Sequence, residues 1–399
     1  MLELVIIADD LTGALDTGVQ FAKNGYSTAL QVVTTRYLIE IPSPDIEVLI
    51  IDAEQRHLSD AKAEEKIIAL VTQIKAFSPH YLFVKTDSGL RGPIGASLQA
   101  ASLVYGNEPL AFIPSFPQLG RIAIDGKYFV EGKPVRESVF GRDPLNPVTI
   151  TAIKDLFPSS VLLSDDESSG IHIYDSATTE EIANLVSRLL SAKVRLFAGC
   201  AALGGELVKK LRPDIDCPSQ PLDTAKPLCI LSGSLNAITQ RQLESAEATG
   251  LVRFQLEPED LFSDSWMENT FLEDIAAALE KGSNIAIDPG ISDQQRMKTY
   301  LQENAIDDTR ASRHIVSVLA QIVALLHAKE LLSEHQLMVI GGDTLLAVLE
   351  HLQFKELLPL GELERGVVYS RLATGKGAMM LISKSGGFGT VQTIENLMR

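Results

Sequence analysis

The chain of 399 residues is short of cysteine, of positive charge and of unbroken apolar sequence. Its three cysteines, Cys200, Cys217 and Cys229, form no CxxC pair and no metal-ligand spacing. That pattern excludes a disulfide framework and a thiolate metal site, and the three read as reduced, mostly buried thiols of a cytoplasmic protein. The seven histidines show no HxxxH spacing. Lysine and arginine number 35 against 52 aspartates and glutamates, for a formal net charge of −17. Such a surface repels nucleic acid and anionic membrane, so neither is expected as a partner, and an anionic ligand would need a site built from local Lys, Arg and backbone N–H groups. The N-terminus lacks a basic leader and enters an apolar strand at once, so no signal peptide is expected. The most apolar long stretch, "HIVSVLAQIVALLHAKELL" from His314, is interrupted by Ser317, Gln321 and His327, and reads as a core helix rather than a membrane span. The Walker A pattern GxxxxGK[ST] and the GxSxG elbow are both missing.

What is present is a chain that can bury real cores, 45% hydrophobic and 22% charged, at a length that predicts two domains. Apolar strands alternate with helical segments: Val5–Ala8, Ser27–Val33, "VLIID" (48–52) and "YLFVK" (81–85), with helices over 13–23 and 59–77. This pattern predicts an α/β fold, with a mostly parallel sheet covered by helices in each domain. Around "RIAIDGKYFVEGKPV" the character changes, and Asp125-Gly126 between alternating apolar residues predicts an antiparallel hairpin insertion in the first domain. The region 150–208 returns to α/β, with strands at "VLLSDD" and "IHIYDS". The proline-rich stretch 212–227 reads as the linker, giving domains at 1–222 and 223–399. No internal repeat is evident.

Six short stretches carry candidate chemistry. The first strand runs into Asp9, Asp10, Thr12, Gly13 and Asp16. One of Asp10 or Thr12 suffices to cap the next helix, which leaves a carboxylate for gripping sugar hydroxyls or supporting a metal. Adjacent aspartates miss the Asp-x-Asp spacing of a phosphoaspartyl hydrolase, since their side chains point to opposite faces. The second stretch, "KTDSGLRGPIGA" (85–96), places Lys85, Asp87, Ser88 and Arg91 among glycines at a strand end, where Arg91 can hold a carboxylate through two parallel bonds and Lys85 adds a point charge. The third, "PSFPQLGR" (114–121), is a stiff loop from which Arg121 can reach the same cleft. The fourth, "LSGSLNAITQRQ" (231–242), delivers Ser232 and Ser234 to a helix start, suited to phosphate or ribose, although serine is also a common N-cap. In the fifth, "MVIGGDTLLAVLEHL" (338–352), a strand turns through Gly341 and Gly342 into a helix, with Asp343 and Thr344 at its start. Backbone N–H groups there can form an anion hole with Asp343 beside it as a base, or Asp343 can simply cap the helix. The sixth, "ISKSGGFG" (382–389), sets Lys384, Gly386 and Gly387 after a strand as a bed for adenine or phosphate, or as a plain glycine turn.

Taken in order, "ADDLTGALDTG", "KTDSGLRG", "PSFPQLGR" with a downstream "DPLNP", "SGS", "GGDT" and "KSGGFG" resemble the four-carbon acid sugar kinase family over nearly the whole chain. The resemblance implies a sugar-acid-binding N-terminal domain, a nucleotide-binding C-terminal domain, and transfer of phosphate from ATP, with Mg2+, to the terminal hydroxyl of a tetronate such as D-threonate, D-erythronate or a 3-oxo-tetronate. It implies that Asp9, Asp10, Lys85, Asp87 and Arg91 touch the sugar acid. Ser232, Ser234, Gly341, Gly342, Asp343, Thr344, Gly386 and Gly387 would line the ATP site, with no metal ligand assigned to the protein, and Asp343 is expected as catalytic base by analogy with other kinases that place an aspartate at a glycine-rich turn before a helix. Many relatives read KTDST-x-RGN in the second motif; Gly89 and Pro93 here depart from it in the direction of D-threonate kinases. The alternatives are a 3-oxo-tetronate kinase and a non-catalytic nucleotide- or sugar-acid-binding protein, which would not consume ATP. A homodimer is left open.

Overall fold

A computed structural model describes residues 2–33, 37–41, 43–143, 146–157, 169–213, 222, 225–234, 236–263, 265–267, 270–290, 294–354 and 356–398. Cys217, most of the 212–227 linker, the strand expected at "VLLSDD" and the centre of "DPLNP" lie outside the described residues. The chain divides into two compact units, Met1–Pro218 and Ser219–Arg399.

The first unit runs β1 (Leu4–Ala8), α1 (Leu11–Lys23), β2 (Thr28–Val32), β3 (Val48–Asp52), α2 (Asp60–Phe77), β4 (Tyr81–Lys85), α3 (Ile94–Val104) and β5 (Leu110–Ile113). Then come β6 (Arg121–Ile124), β7 (Lys127–Val130), β8 (Lys133–Pro134), β9 (Ile171–Ile173), α4 (Thr179–Ser191), β10 (Leu196–Gly199) and α5 (Ala201–Leu211). Its main sheet has the order β2-β3-β1-β4-β10-β5-β9, parallel at every pairing. β1 and β3 are buried at all five positions, as strands covered on both faces must be. β6, β7 and β8 form a separate antiparallel sheet, the expected insertion. Asp125 (φ +50°) and Gly126 (φ +66°) close the β6–β7 turn with two left-handed residues, the geometry that matches hairpin twist.

The second unit contains β11 (Leu228–Ser232), α6 (Ala237–Glu247), β12 (Val252–Gln255), α7 (Pro258–Ser263), α8 (Phe271–Glu280), β13 (Ile285–Asp288), α9 (Gln294–Glu303) and α10 (Asp308–Ala328). It continues with β14 (Gln336–Ile340), α11 (Gly342–His351), β15 (Glu356–Glu364), β16 (Val367–Thr374), β17 (Gly377–Lys384) and α12 (Thr393–Leu397). The order is β12-β13-β11-β14-β17-β16-β15, parallel as far as β17 and antiparallel across β17-β16-β15. The apolar helix α10 is long and apolar enough to cross a membrane by composition. It buries Ile315, Val318, Leu319, Ile322, Val323 and Leu326, one face at helical spacing. Cys200 and Cys229 are buried and unpaired, and burial pushes their thiols up to about 11 and about 12.

Both units share one topology. In each, the first strand is central, the next two add on one side, and the fourth adds on the other (β2-β3-β1-β4 and β12-β13-β11-β14). The strand order therefore reverses between β1 and β4, and again between β11 and β14. The crevice beyond the carboxyl ends at such a reversal is where open α/β sheets bind ligands.

Candidate functional site

The first reversal collects charge. Asp9 and Asp10 follow β1, Lys85 ends β4, and Arg56 follows β3. Arg56 donates from Nε to Asp9 Oδ2 at 2.8 Å and from Nη1 to Asp10 Oδ2 at 2.8 Å, and its Nη2 lies 3.5 Å from Asp87 Oδ1. Lys85 Nζ donates to Asp9 Oδ1 at 3.0 Å and to Asp10 Oδ1 at 3.4 Å. Gly13 makes this possible: a Cβ there would stand 1.9 Å from Lys85 Nζ. Asp10 is also the helix cap, accepting from the Gly13 amide at 3.0 Å and from Thr12 Oγ1 at 2.7 Å. Asp10 is thus the helix cap, as one alternative held, and it also takes part in the ion-pair cluster with Arg56 and Lys85.

Asp87 organises the loop that follows β4. It accepts from the Gly89 amide (2.9 Å), the Arg91 amide (3.2 Å) and, bidentately, Arg91 Nε and Nη2 (2.9 Å each). These bonds hold Leu90 at φ +63°, a left-handed conformation unfavourable for a bulky residue. Arg91 Nη1 donates to Asp143 Oδ2 at 3.0 Å. Burial alone would raise the Asp10 and Asp87 carboxyls. Arg56 overcomes it, helped by Lys85 at Asp10 and Arg91 at Asp87, and holds both well below the usual carboxylate range. Burial would lower Lys85 and Arg56, but Asp9 and Asp10 hold both above their ordinary values. The crevice among Asp9, Arg56, Lys85 and Arg91 has a volume of about 10 Å³, room for about one water molecule. The charges are therefore satisfied by one another.

Arg121 differs. The β6–β7 hairpin brings it to the same loop, where Nη1 donates to Ser88 Oγ and its guanidinium lies 4.7 Å from the Phe140 ring centroid. Tyr128 on β7 fastens the hairpin by donating to Ser88 O at 2.9 Å. Among the described residues Arg121 has no carboxylate partner, and its buried Nε has no hydrogen bond. Burial pushes its guanidinium down, as expected for a cation lacking a counter-ion.

The second reversal gathers glycines. Ser232 ends β11 fully buried, with no partner for its Oγ among the described residues. Gly341 follows β14 at φ +106°, ψ +135°, a conformation left to glycine, and its amide donates to Lys384 O at 2.9 Å. Gly341 is the N-cap of α11, and among the described residues no side chain caps that helix. Asp343 therefore does not cap it, as one alternative held; it lies exposed in the first turn. The three motifs meet here. A Cβ on Gly233 would stand 2.2 Å from Thr344 Oγ1, and one on Gly386 2.3 Å from Ser234 Oγ. The helix α6 is capped by Asn236, which accepts from the Ile238 amide at 3.0 Å, so Ser234 is not needed as a cap. The set fits phosphate: close-approach glycines, an uncapped helix start and an orphaned buried hydroxyl. Two larger cavities of this unit, about 420 and 600 Å³, lie around Lys226, Ser333 and His335, at the opposite strand ends.

Arg56 is the residue that motif reading missed. It stands alone in a polar loop, and its partners are 46 and 47 residues away. The available signal was its place just after the carboxyl end of a parallel strand.

These features define a two-unit α/β protein with a polar site at the strand reversal of each unit. Residues 4–164 match the family model described as a sugar-binding N-terminal domain, and residues 229–394 match a nucleotide-binding C-terminal domain. The chain belongs to the four-carbon acid sugar kinase family. It is 27% identical to a D-threonate kinase of Bordetella bronchiseptica over 96% of this chain and 94% of that protein. It is 26% identical to a 3-oxo-tetronate kinase of Methylobacterium radiotolerans, over 97% and 96% of the two chains. A crystal structure from Salmonella typhimurium LT2 shares the fold with a TM-score of 0.83, at 20% identity, over 100% of this chain and 99% of that one.

Proposed function

We propose that the protein transfers the γ-phosphate of ATP to the terminal hydroxyl of a four-carbon sugar acid, D-threonate or D-erythronate. The carrying observation is the contrast between the two reversals. One presents carboxylates and cations that can exchange their mutual bonds for those of a polyhydroxylated acid. The other presents glycine turns and amide donors, the furniture of a phosphate site. D-Threonate is the first choice because of Gly89 and Pro93 in the second motif and the full-length similarity to a D-threonate kinase.

In this reading Asp9, Asp10 and Asp87 accept the O–H groups of the acid, while Arg56, Lys85 and Arg91 hold those carboxylates in place. Arg121 takes the substrate carboxylate, since it alone of these cations has no carboxylate of the protein beside it among the described residues. Gly341–Thr344 and Gly386–Gly387 receive the phosphates. The substrate oxygen bonds to the γ-phosphorus, the bond from phosphorus to the β–γ bridging oxygen breaks, and Asp343 takes the hydroxyl proton. Mg2+ would arrive with the nucleotide and would supply charge neutralisation at the phosphates.

The test is a coupled ADP-release screen over D- and L-threonate, D-erythronate, 3-oxo-tetronate and 4-hydroxy-L-threonine. ADP release with D-threonate or D-erythronate supports the reading. Turnover confined to 3-oxo-tetronate would replace the substrate, and no turnover with any tetronate would leave a binding protein.

A further inference from the structure

Lys384 ends β17 with 1% of its surface exposed, among the largest fully buried side chains of the chain. Buried lysines are ordinarily paired with a carboxylate. Among the described residues no carboxylate lies within ion-pair distance of this one. Its Nζ donates to neutral groups only: Ser385 O at 3.2 Å, Gly386 O at 3.4 Å and Thr239 Oγ1 at 3.4 Å. Thr239 in turn donates to Gly386 O at 2.7 Å, and Gln242, on the same helix α6, donates to Phe388 O at 3.2 Å and Thr390 O at 2.7 Å. The 385–390 turn is thus held by its carbonyls from within.

Across a trans peptide the C=O and N–H point in opposite directions. Drawing the carbonyls of Ser385 and Gly386 toward Lys384 turns the amides of Gly386 and Gly387 away from it. Those two amides have no hydrogen-bond partner among the described residues, and Gly387 is exposed. The geometry points to Lys384 as the positioning residue of the nucleotide turn: a buried cation that aims the Gly386 and Gly387 amides outward and whose missing counter-charge is supplied by a nucleotide phosphate. This rests on the nucleotide reading above and names the charge on which that site depends.

The state of the lysine supports the same picture. Burial pushes its ammonium down to about 8, with Glu364 on β15 the acid that opposes the shift. The other groups against it, from α6 and from its own turn, are neutral. Phosphate then binds the protonated form better. Affinity is level below the free value and falls by up to tenfold per pH unit above it.

Calorimetry of ADP with Mg2+ on the full-length protein tests this. Between about pH 7 and about pH 9.5, the dissociation constant should rise roughly thirtyfold, because only the protonated fraction is competent. K384R, charged throughout this range, should give a flat profile; K384M should bind weakly at every pH. The wild-type profile needs no variant, so a misfolded mutant does not blunt the test. ADP binding that is independent of pH, or retained in K384M, overturns the role of Lys384 and leaves the nucleotide site standing. No ADP binding by the wild type at any pH overturns the nucleotide reading itself.

Discussion

The two units place the same strand order under opposite electrostatics. At the β1/β4 reversal, three carboxylates and three cations neutralise one another in a crevice with room for about one water. At the β11/β14 reversal the walls are glycine, serine and threonine, and the one buried cation has no carboxylate beside it among the described residues. The lesson concerns ligand chemistry. A site for a polyol acid needs acceptors for hydroxyls, and acceptors at this depth must be held by cations when the ligand is away. A site for phosphate needs donors and little negative charge, which backbone amides supply without ion pairs.

The largest effect should come from Asp343→Asn, which asks whether the glycine-lined side performs the chemistry. Asparagine keeps the size and cannot take a proton, so kcat should fall by roughly two to four orders of magnitude in a steady-state assay. Both KM values should stay within a few-fold. Because Gly341 is the cap, only the first-turn charge is lost, at about 0.3–1 kcal/mol. A kcat above about a tenth of wild type would move the base to Asp9, Asp10 or Asp87.

Arg56→Ala probes the charge-balanced side. It leaves Asp9 and Asp10 short of their main counter-ion, and loss of one partner from a buried pair costs about 3–5 kcal/mol. Denaturant unfolding should show a loss of that order, with ADP affinity unchanged. The wild type should also be acid-sensitive in a defined direction. The carboxyls of Asp10 and Asp87 are held low in the folded state, so their contribution is fully present above the ordinary range near pH 4 and is lost as pH falls below it. An Arg56→Ala variant as stable as wild type would show that the network is dispensable.

A smaller effect separates two neighbouring arginines. Arg121→Ala should raise the tetronate KM by roughly ten- to a hundredfold, the equivalent of a charge-assisted bond, with stability little changed. Arg91→Ala should cost stability as well, because Asp87 loses its bidentate partner and Asp143 one of its bonds. Equal unfolding curves for the two variants would erase the distinction. The smallest change is expected from Gly386→Ala. Gly386 is not at positive φ, so the obstacle is the approach to Ser234 Oγ, which can rotate aside. ADP affinity should fall by about threefold to tenfold in calorimetry, within the range of a single displaced hydrogen bond.

Much of this was legible in the sequence because the deciding signals are local. Apolar runs ending in charged or glycine-rich motifs mark parallel strands and their carboxyl ends, and Asp125-Gly126 marks the hairpin. Less legible was anything made by distance. Arg56 has no motif around it, and its partners are assembled by the parallel register of β1, β3 and β4. The role of Gly341 as cap depends on a dihedral angle that "GGDT" does not disclose. Lys384 stands out in its glycine-rich motif, but its burial and its lack of a carboxylate partner among the described residues appear only once β17 is placed in the sheet. The doubled strand order left no sequence repeat, since topology constrains strand direction and burial rather than residue identity.

The division of labour between the reversals is tested most directly by hydrogen exchange read by mass spectrometry, with each ligand added separately. ADP with Mg2+ should slow exchange in the segments spanning 341–344 and 385–389, leaving 9–13 and 86–92 unchanged. D-Threonate should do the reverse. Protection of 9–13 and 86–92 by ADP alone, with none at 341–344, would contradict the account.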